Sequence, residues 1–235
     1  MSTLLKLQQV ETYIEEFHIL QGISFEARKG EVTVLLGRNG AGKTTTLRTI
    51  MGLNKASKGQ IFFGNEEIQT LQPYEIANKG MGYVPEDQGI FGELTVEENI
   101  KVAMKKDDSQ SLERLEWILQ IFPDLKKFWQ KQSGLLSGGQ KQMLSIARAY
   151  VKNCELLLID EPSKGLAPIV VEKVMESIQE MKDKTTIILV EQNFMMASRI
   201  GDYFYIVDEG RTVYDGKMQE LIGNKELREK HLGIA

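Results

Sequence analysis

"GRNGAGKTT", Gly37 to Thr45, is the stretch that decides the fold. It matches the pattern G-x-x-x-x-G-K-[S/T], follows the apolar run "EVTVLLG" and precedes the helix-forming run "KTTTLRTIMGL". Glycines let backbone N–H groups turn inward around phosphate oxygens, and the N-terminus of the next helix adds a partial positive charge. The succession of strand, glycine-rich loop and helix therefore predicts a nucleoside triphosphate site in an α/β protein.

Every residue of this loop is a candidate ligand of the nucleoside triphosphate. The set is Gly37, Arg38, Asn39, Gly40, Ala41, Gly42, Lys43, Thr44 and Thr45. We expect the Lys43 ammonium to reach the β- and γ-phosphates and the Thr44 hydroxyl to hold Mg²⁺. A merely structural glycine loop is the alternative, which the flanking strand and helix disfavour.

A second strand ends in carboxylates, in "LLLIDEP" from Leu156 to Pro162. Asp160 at the end of such a strand can hold Mg²⁺ through water, and Glu161 can orient or deprotonate an attacking water. Pro162 ends the strand because it has no N–H to donate. Many strands end in acidic residues, so this signal is weak alone. Beside a phosphate loop, however, it predicts hydrolysis of the nucleotide.

Composition restricts the function classes. The chain of 235 residues has 33 acidic and 29 basic residues, a net charge of -4, and no long block of one sign. That disfavours nucleic acid as the main partner. The single cysteine, Cys154, lies beside an apolar run and is expected to be a buried, unreactive thiol, which fits a reducing cytoplasm. The sequence has no signal peptide and no run of about 18 apolar residues. If the protein acts at a membrane, it is therefore expected to do so from the membrane surface.

The sequence pattern predicts a single domain over residues 1–235. Short strands are predicted in 4–36, followed by the phosphate loop and another strand near 59–68. From about Glu86 to Val151 the pattern is mostly helical, and strands return at 156. The simplest architecture is an α/β core, about 1–86 and 152–235, interrupted by a helical insertion at about 87–151.

Helix and turn signals fit this division. Thr95 and Glu98 have the spacing of a capping box. A helix is predicted from Pro168, and a hairpin is predicted to turn at Glu209 and Gly210. A terminal helix closes the chain. Two apolar stripes are predicted to face the core: Leu112, Leu115, Leu119 and Phe122 in the insertion, and Val171, Val174, Met175, Ile178 and Met181 in the helix from Pro168.

A second glycine motif lies in "LLSGGQKQMLSIARAYV", where Ser137, Gly138 and Gly139 precede a helix. Serine is a good N-cap, so a plain helix start explains it. The alternative is a second phosphate-binding helix N-terminus that uses the Ser137 hydroxyl and the Gly139 N–H. Residue types alone leave both interpretations open.

The "LSGGQ" of this motif, Leu136 to Gln140, resembles the signature of the ATP-binding cassette (ABC) ATPases, and the resemblance covers essentially the whole chain. It implies a RecA-like P-loop core with an N-terminal antiparallel β region and an inserted helical subdomain. It also implies a head-to-tail dimer of cassettes, either two copies or two paralogues. Each ATP would lie between the phosphate loop of one cassette and the signature of the other, namely Ser137, Gly138, Gly139 and Gln140.

Narrower features, "VPEDQGIFGELTVEENI", "DEPSKGLAP", "LVEQN" and "LREKHLGIA", resemble the ATPase subunits of branched-chain amino-acid importers. Urea and amide importers have similar subunits, and lipopolysaccharide-export ATPases are a more distant match. The resemblance implies an Mg²⁺-dependent ATPase on the cytoplasmic face of the membrane. Its partners would be transmembrane permease subunits and a second ATPase subunit, with a solute-binding protein engaged indirectly and no nucleic acid. The solute would be recognised by those other chains.

Three positions depart from the usual cassette pattern. Glu86 stands where most cassettes have glutamine, and its carboxylate can still meet Mg²⁺ or the attacking water. Ala167 replaces an aspartate, which weakens any inference about communication between sites through this residue. Gln192 replaces a histidine that contacts the γ-phosphate. Our hypothesis is that Gln192 senses the γ-phosphate as a neutral donor while Glu161 acts on the water. We interpret Glu191 as structural.

Adenine commonly stacks on an N-terminal aromatic residue in this family. Tyr13 is the best candidate and Phe17 the second, although either can be a core residue. Other ABC proteins fit less well. DNA-maintenance ATPases need a coiled coil between the motifs, translation ATPases carry two cassettes, and a non-hydrolysing sensor would not need Glu161.

Overall fold

The strands form two sheets in the computed structural model, which describes residues 2–104, 109–152 and 154–233. The strands are β1 Thr3–Ile14, β2 Phe17–Arg28, β3 Val32–Leu36, β4 Ala56–Phe63, β5 Glu66–Glu67, β6 Met81–Val84, β7 Leu156–Asp160, β8 Thr186–Val190, β9 Tyr203–Asp208 and β10 Arg211–Lys217. The order of the first sheet is β2-β1-β4-β5, all antiparallel. The order of the second is β10-β9-β3-β8-β7-β6, parallel except for β10.

Three central strands of the second sheet, β3, β7 and β8, are buried along their whole length. Their near-continuous apolar sequences follow from this, because a parallel sheet is covered on both faces. Leu35 of β3 and Asp160 of β7 both pair with Val190 of β8. The loops that follow the three strands therefore emerge at one edge of the sheet, where α/β proteins place their ligands.

Helices pack on both faces of this sheet, the first two on the face shared with the antiparallel sheet and the others on the opposite face. They are α1 Lys43–Ile50, α2 Pro73–Asn78, α3 Val96–Ala103, α4 Ser109–Ile121, α5 Pro123–Lys127, α6 Gly138–Val151, α7 Pro168–Met181, α8 Phe194–Ile200, α9 Met218–Gly223 and α10 Lys225–Leu232, with a 3₁₀ turn at Ser133–Leu135. The predicted capping box at the start of α3 is confirmed: the Glu98 N–H donates to Thr95 Oγ1 at 3.1 Å, and the Thr95 N–H donates to Glu98 Oε2 at 2.8 Å.

The core has two parts, one on each face of the parallel sheet. Ile187 and Leu189 of β8 face the cluster that α3 to α10 form. Ile188 and Val190 face the cluster that β1, β2 and β4 form with α1 and α2. The alternation follows from the two-residue period of a strand. The antiparallel sheet thus serves as the second cover that a parallel sheet requires.

Most sequence-based elements are confirmed. The early strands, the hairpin turn at Glu209 and Gly210, and the buried face of α7 are present as predicted. Cys154 is buried, and burial raises the pKa of its thiol to about 11. Three elements were not predicted, α2, β6 and α8. Among the described residues, none of the helices has the length and apolar character to cross a bilayer.

The prediction of a buried apolar stripe on α4 was partly wrong. Phe122 is buried, but Leu112 is 46% exposed, and Leu115 and Leu119 are only partly buried. Ile118 takes the central buried position instead. Leu112 lies in the first turn of α4, and residues 105–108 of the insertion, like the last two residues of "LREKHLGIA", lie outside the described part of the chain.

Candidate functional site

The phosphate loop joins β3 to α1 and bends through three glycines with positive φ: Gly37 at 151°, Gly40 at 79° and Gly42 at 104°. At Gly37 a Cβ atom would lie 2.1 Å from the Val207 carbonyl oxygen, so only glycine fits. The buried Lys43 ammonium donates to the carbonyl oxygens of Gly37 and Arg38, both at 2.9 Å. Burial lowers the pKa of Lys43, and the nearby carboxylates of Glu161, Asp160 and Glu191 oppose this.

Asp160 lies opposite the start of α1. The Thr44 hydroxyl donates to Asp160 Oδ1 at 3.1 Å, while Oδ2 is buried and has no partner among the described residues. Burial raises the pKa of Asp160 to about 6, with Glu161 and Glu86 adding to the effect and the Thr44 hydrogen bond opposing it. A carboxylate oxygen without a partner beside a hydroxyl suits a hard cation.

No group of three or more His, Cys, Asp and Glu side chains in the described ranges is arranged to hold a metal ion by itself. Mg²⁺ does not require such a group, because it commonly binds through one or two protein ligands together with phosphate oxygens and water. Thr44 and Asp160 therefore fit a cation that arrives with a triphosphate.

Glu161 and Gln192 meet at the same edge. Glu161 is 8% exposed and has a positive φ of 45°, and its N–H donates to the Val190 carbonyl at 2.9 Å. The Gln192 amide Nε2 donates to Glu161 Oε1. The two residues predicted to act in catalysis are therefore in direct contact.

Glu86 and Glu161 share a cation that the sequence analysis missed. The Lys164 ammonium lies 2.5 Å from Glu86 Oε1 and 3.7 Å from Glu161 Oε2. Glu86 is the main cause of the raised pKa of Lys164. The signal was present in the sequence, because Lys164 follows "DEPS" directly.

A cavity of about 310 Å³ brings most of these groups together. Its lining residues are Ile19, Asn39, Gly40, Gly42, Lys43, Thr44, Thr45, Glu86, Glu161, Lys164 and Gln192. Of these, Ile19 and Lys164 were not predicted. Gly37 and Arg38 line a smaller neighbouring cavity of about 150 Å³, together with Glu191 and Gln192.

Tyr13 and Phe17 do not line the larger cavity. Tyr13 is 47% exposed and stacks on the His18 ring, with centroids 4.2 Å apart, and Phe17 is 69% exposed. Neither aromatic is a core residue. A role in stacking on adenine stays a prediction for both.

Residues Ser137 to Gln140 also lie apart from the larger cavity. The Ser137 hydroxyl accepts from the Gln140 N–H at 3.4 Å, and the Ser137 N–H donates to Gln140 Oε1 at 3.0 Å, so the residues cap α6. Gly139 packs on α7, where an added Cβ would lie 2.3 Å from Val170 Cγ1. Ser137 and Gly138 are exposed. The capping interpretation is thus observed, and the exposed surface leaves the second interpretation open.

Chemically, the site can hold a polyphosphate on backbone N–H groups and Lys43, and a cation between Thr44 and Asp160. It also holds a carboxylate, Glu161, whose position an amide side chain fixes. A water at the terminal phosphate would meet both groups.

Residues 20–164 match the family described as "ABC transporter". Among curated proteins, the chain is 38% identical to the high-affinity branched-chain amino acid transport ATP-binding protein BraG of Pseudomonas aeruginosa, over 98% of this chain and 100% of that protein. It is 35% identical to the probable branched-chain amino acid transport ATP-binding protein LivF of Archaeoglobus fulgidus, over 98% and 99%. The lipopolysaccharide export system ATP-binding protein LptB of Acidithiobacillus ferridurans is 29% identical over 99% and 98%.

Solved structures show the same fold. A nucleotide-free ATP-binding cassette from an ABC transporter superposes with a TM-score of 0.85 at 26% identity, covering 100% of both chains. A dimeric cassette in a post-hydrolysis state bound to ADP and Pi superposes with a TM-score of 0.80 at 25% identity, covering 91% of this chain and 98% of that one.

Proposed function

Because the chain belongs to the ABC transporter family of ATP-binding proteins, we propose that it is the ATP-hydrolysing subunit of a membrane importer for branched-chain amino acids. One observation carries the ATPase activity: Thr44, Asp160, Glu161 and Gln192 meet at one edge of the parallel sheet, beside the phosphate loop. The assignment of the solute rests on the full-length similarity to two proteins named for branched-chain amino acid transport.

In the proposed mechanism, backbone N–H groups of Gly40 to Thr45 and the Lys43 ammonium hold the β- and γ-phosphates. Thr44 and Asp160 would hold Mg²⁺, with Glu86 as a further candidate ligand, and the ion would supply positive charge against the phosphate oxygens. Glu161 orients the attacking water and accepts its proton. Gln192 keeps Glu161 in place and donates a hydrogen bond at the γ-phosphate. Since an amide does not titrate near neutrality, this sensing does not depend on pH.

The position of the glycine motif supports a dimer. Ser137 and Gly138 are exposed and do not line the cavity that Lys43 lines, so a phosphate that they contact would be one held by another chain. The solved relative in complex with ADP and Pi is a dimer. We propose a head-to-tail pair in which Ser137 to Gln140 of one subunit close on the phosphate loop of the other. The second subunit would be a copy or a paralogue.

Permease subunits would bind this ATPase at the cytoplasmic face of the membrane, and a solute-binding protein would act through them. ATP closes the dimer and hydrolysis reopens it, so the movement is passed on through the groove near Glu86. A urea or amide importer is the alternative of the same type. A lipopolysaccharide exporter is disfavoured by the lower identity, 29% against 38%. A DNA-maintenance ATPase is disfavoured because the segment between the phosphate loop and the Leu136 to Gln140 motif leaves no room for a long coiled coil.

The test is purification of the tagged chain from the membranes of its own host, with mass spectrometry of the chains that accompany it. The proposal predicts two permease subunits and a second ATPase subunit, and uptake of radiolabelled leucine that depends on ATP. Recovery of a lipid-export assembly would support the ATPase activity but would indicate export instead of import. Recovery of no membrane protein, under conditions that retain a known transporter, would overturn the transporter assignment.

A further inference from the structure

Glu191 is a buried carboxylate directly after β8, only 2% exposed. Its Oε1 atom accepts three hydrogen bonds: from the backbone N–H of Gln192 at 2.8 Å, from that of Asn193 at 2.8 Å, and from the Ser163 hydroxyl at 2.9 Å. The other atom, Oε2, is buried without a partner among the described residues. Glu191 also lines the cavity of about 150 Å³, which has room for water that could hydrate Oε2.

The bond from Ser163 joins two loops that carry the proposed chemistry, since Ser163 follows Glu161 by two residues and Gln192 follows Glu191 directly. Two further bonds connect the same segments: the Glu161 N–H donates to the Val190 carbonyl at 2.9 Å, and Gln192 Nε2 donates to Glu161 Oε1. The positive φ of Glu161 is a strained conformation for a residue other than glycine, and it persists only when its surroundings hold it.

A purely structural role explains Glu191 less well. The five residues of β8 before it are all buried, and burying a carboxylate among them is costly compared with burying an apolar side chain. The start of α8 has its own cap, because Asn193 Oδ1 accepts from the Met196 N–H at 3.2 Å. The bond to Ser163 contributes nothing to that helix.

We propose that Glu191 is a positioning residue for ATP hydrolysis: it fixes the loop of Glu161 against the loop of Gln192, so that the carboxylate and the amide face the γ-phosphate together. The proposal rests on the proposed ATPase function and adds a residue that touches neither the nucleotide nor the water. Ser163 is its partner. Loss of the tie would let Glu161 shift, and a shift of about 1 Å at a reacting group can cost about a hundredfold in rate.

The first test compares Glu191→Ala, Glu191→Gln and wild type as full chains, with kcat and KM for ATP, affinity for a fluorescent ATP analogue, and Tm. Glu191→Ala should lower kcat roughly ten- to hundredfold and leave KM and analogue affinity within about threefold, since the phosphate loop is unchanged. Glu191→Gln keeps an acceptor oxygen and should recover kcat to within about fivefold of wild type. A folded Glu191→Ala with wild-type kcat, or a folded Glu191→Gln as slow as Glu191→Ala, would overturn the proposal.

A double-mutant cycle with Ser163→Ala keeps the test decisive if Glu191→Ala folds poorly. Ser163→Ala removes one donor and should lower kcat several-fold, and Ser163→Ala combined with Glu191→Gln should be little slower than Ser163→Ala alone. A Ser163→Ala variant with the kcat of wild type would contradict the proposed link between the two loops.

Asp202→Asn is the matched control. The Asp202 carboxylate also accepts a backbone N–H, that of Val32 at 2.8 Å, but it lies at the opposite end of the sheet. It should lower Tm and leave kcat unchanged. If wild type itself hydrolyses no ATP, the proposed function fails. If wild type is active and only the Glu191 effects are missing, the positioning role alone fails.

Discussion

Asp160→Asn should stabilise the protein in the absence of nucleotide and Mg²⁺, and should do so only above acidic pH. Burial raises the pKa of Asp160 from 3.8 to about 6. The difference of about 2.2 pKa units, at about 1.4 kcal/mol each, corresponds to about 3 kcal/mol. Asparagine has almost the same shape and keeps an oxygen that can accept from Thr44, so the substitution removes mainly the buried charge.

The sign follows from the direction of the shift. A carboxylate whose folded pKa is raised binds its proton more tightly in the folded protein, so its stabilising contribution is present below pH 4 and is lost as pH rises through about 6. Asparagine does not titrate. The stability difference between Asp160→Asn and wild type should therefore grow with pH, by most of about 3 kcal/mol between pH 4 and 7.

The assay is urea unfolding of both proteins at several pH values in EDTA, without nucleotide. In thermal unfolding at neutral pH, the Tm of Asp160→Asn should also be higher than that of wild type, by about 2–4 °C for each kcal/mol of added stability. ATP hydrolysis should nevertheless fall, because the cation loses a charged ligand. A stability difference that is the same at every pH, or that shrinks as pH rises, would refute the reasoning.

Further predictions concern three other positions. Gln192→Ala should slow ATP hydrolysis in a steady-state assay, because it removes the donor to Glu161; turnover equal to wild type would contradict the sensing role. Gly37→Ala should destabilise the fold by about 2 kcal/mol or more, given the 2.1 Å approach to the Val207 oxygen; an unchanged denaturation midpoint would be the contrary result. Cys154, with a thiol pKa of about 11, should react with a thiol reagent at neutral pH only on unfolding; rapid labelling of the native protein would be inconsistent with its burial.

The sequence predicted the central strands and the phosphate loop well, because these depend on local pattern. Continuous apolar runs end in glycines or carboxylates at β3 and β7, and no distant residue is needed to recognise them. It failed where packing decides. Leu112 belongs to a regular apolar stripe, yet it is exposed, and Ser111 and Ile118 take the buried positions of α4.

The site shows the same division. Asp160 and Glu161 were predicted from the strand end on which they lie, whereas Lys164 and Ser163 act through contacts with Glu86 and Glu191, which are far away in sequence. Such pairings are set by how two loops meet at a sheet edge. The residues were visible in the sequence, but their partners were not.

The central claim is that this chain hydrolyses ATP with Glu161 as the residue that acts on the water. A Glu161→Gln variant tests it most directly in a single-turnover measurement with radiolabelled ATP. The variant should bind ATP and accumulate as a dimer while release of phosphate collapses, since an amide cannot accept the proton. Release of phosphate at the wild-type rate would contradict it.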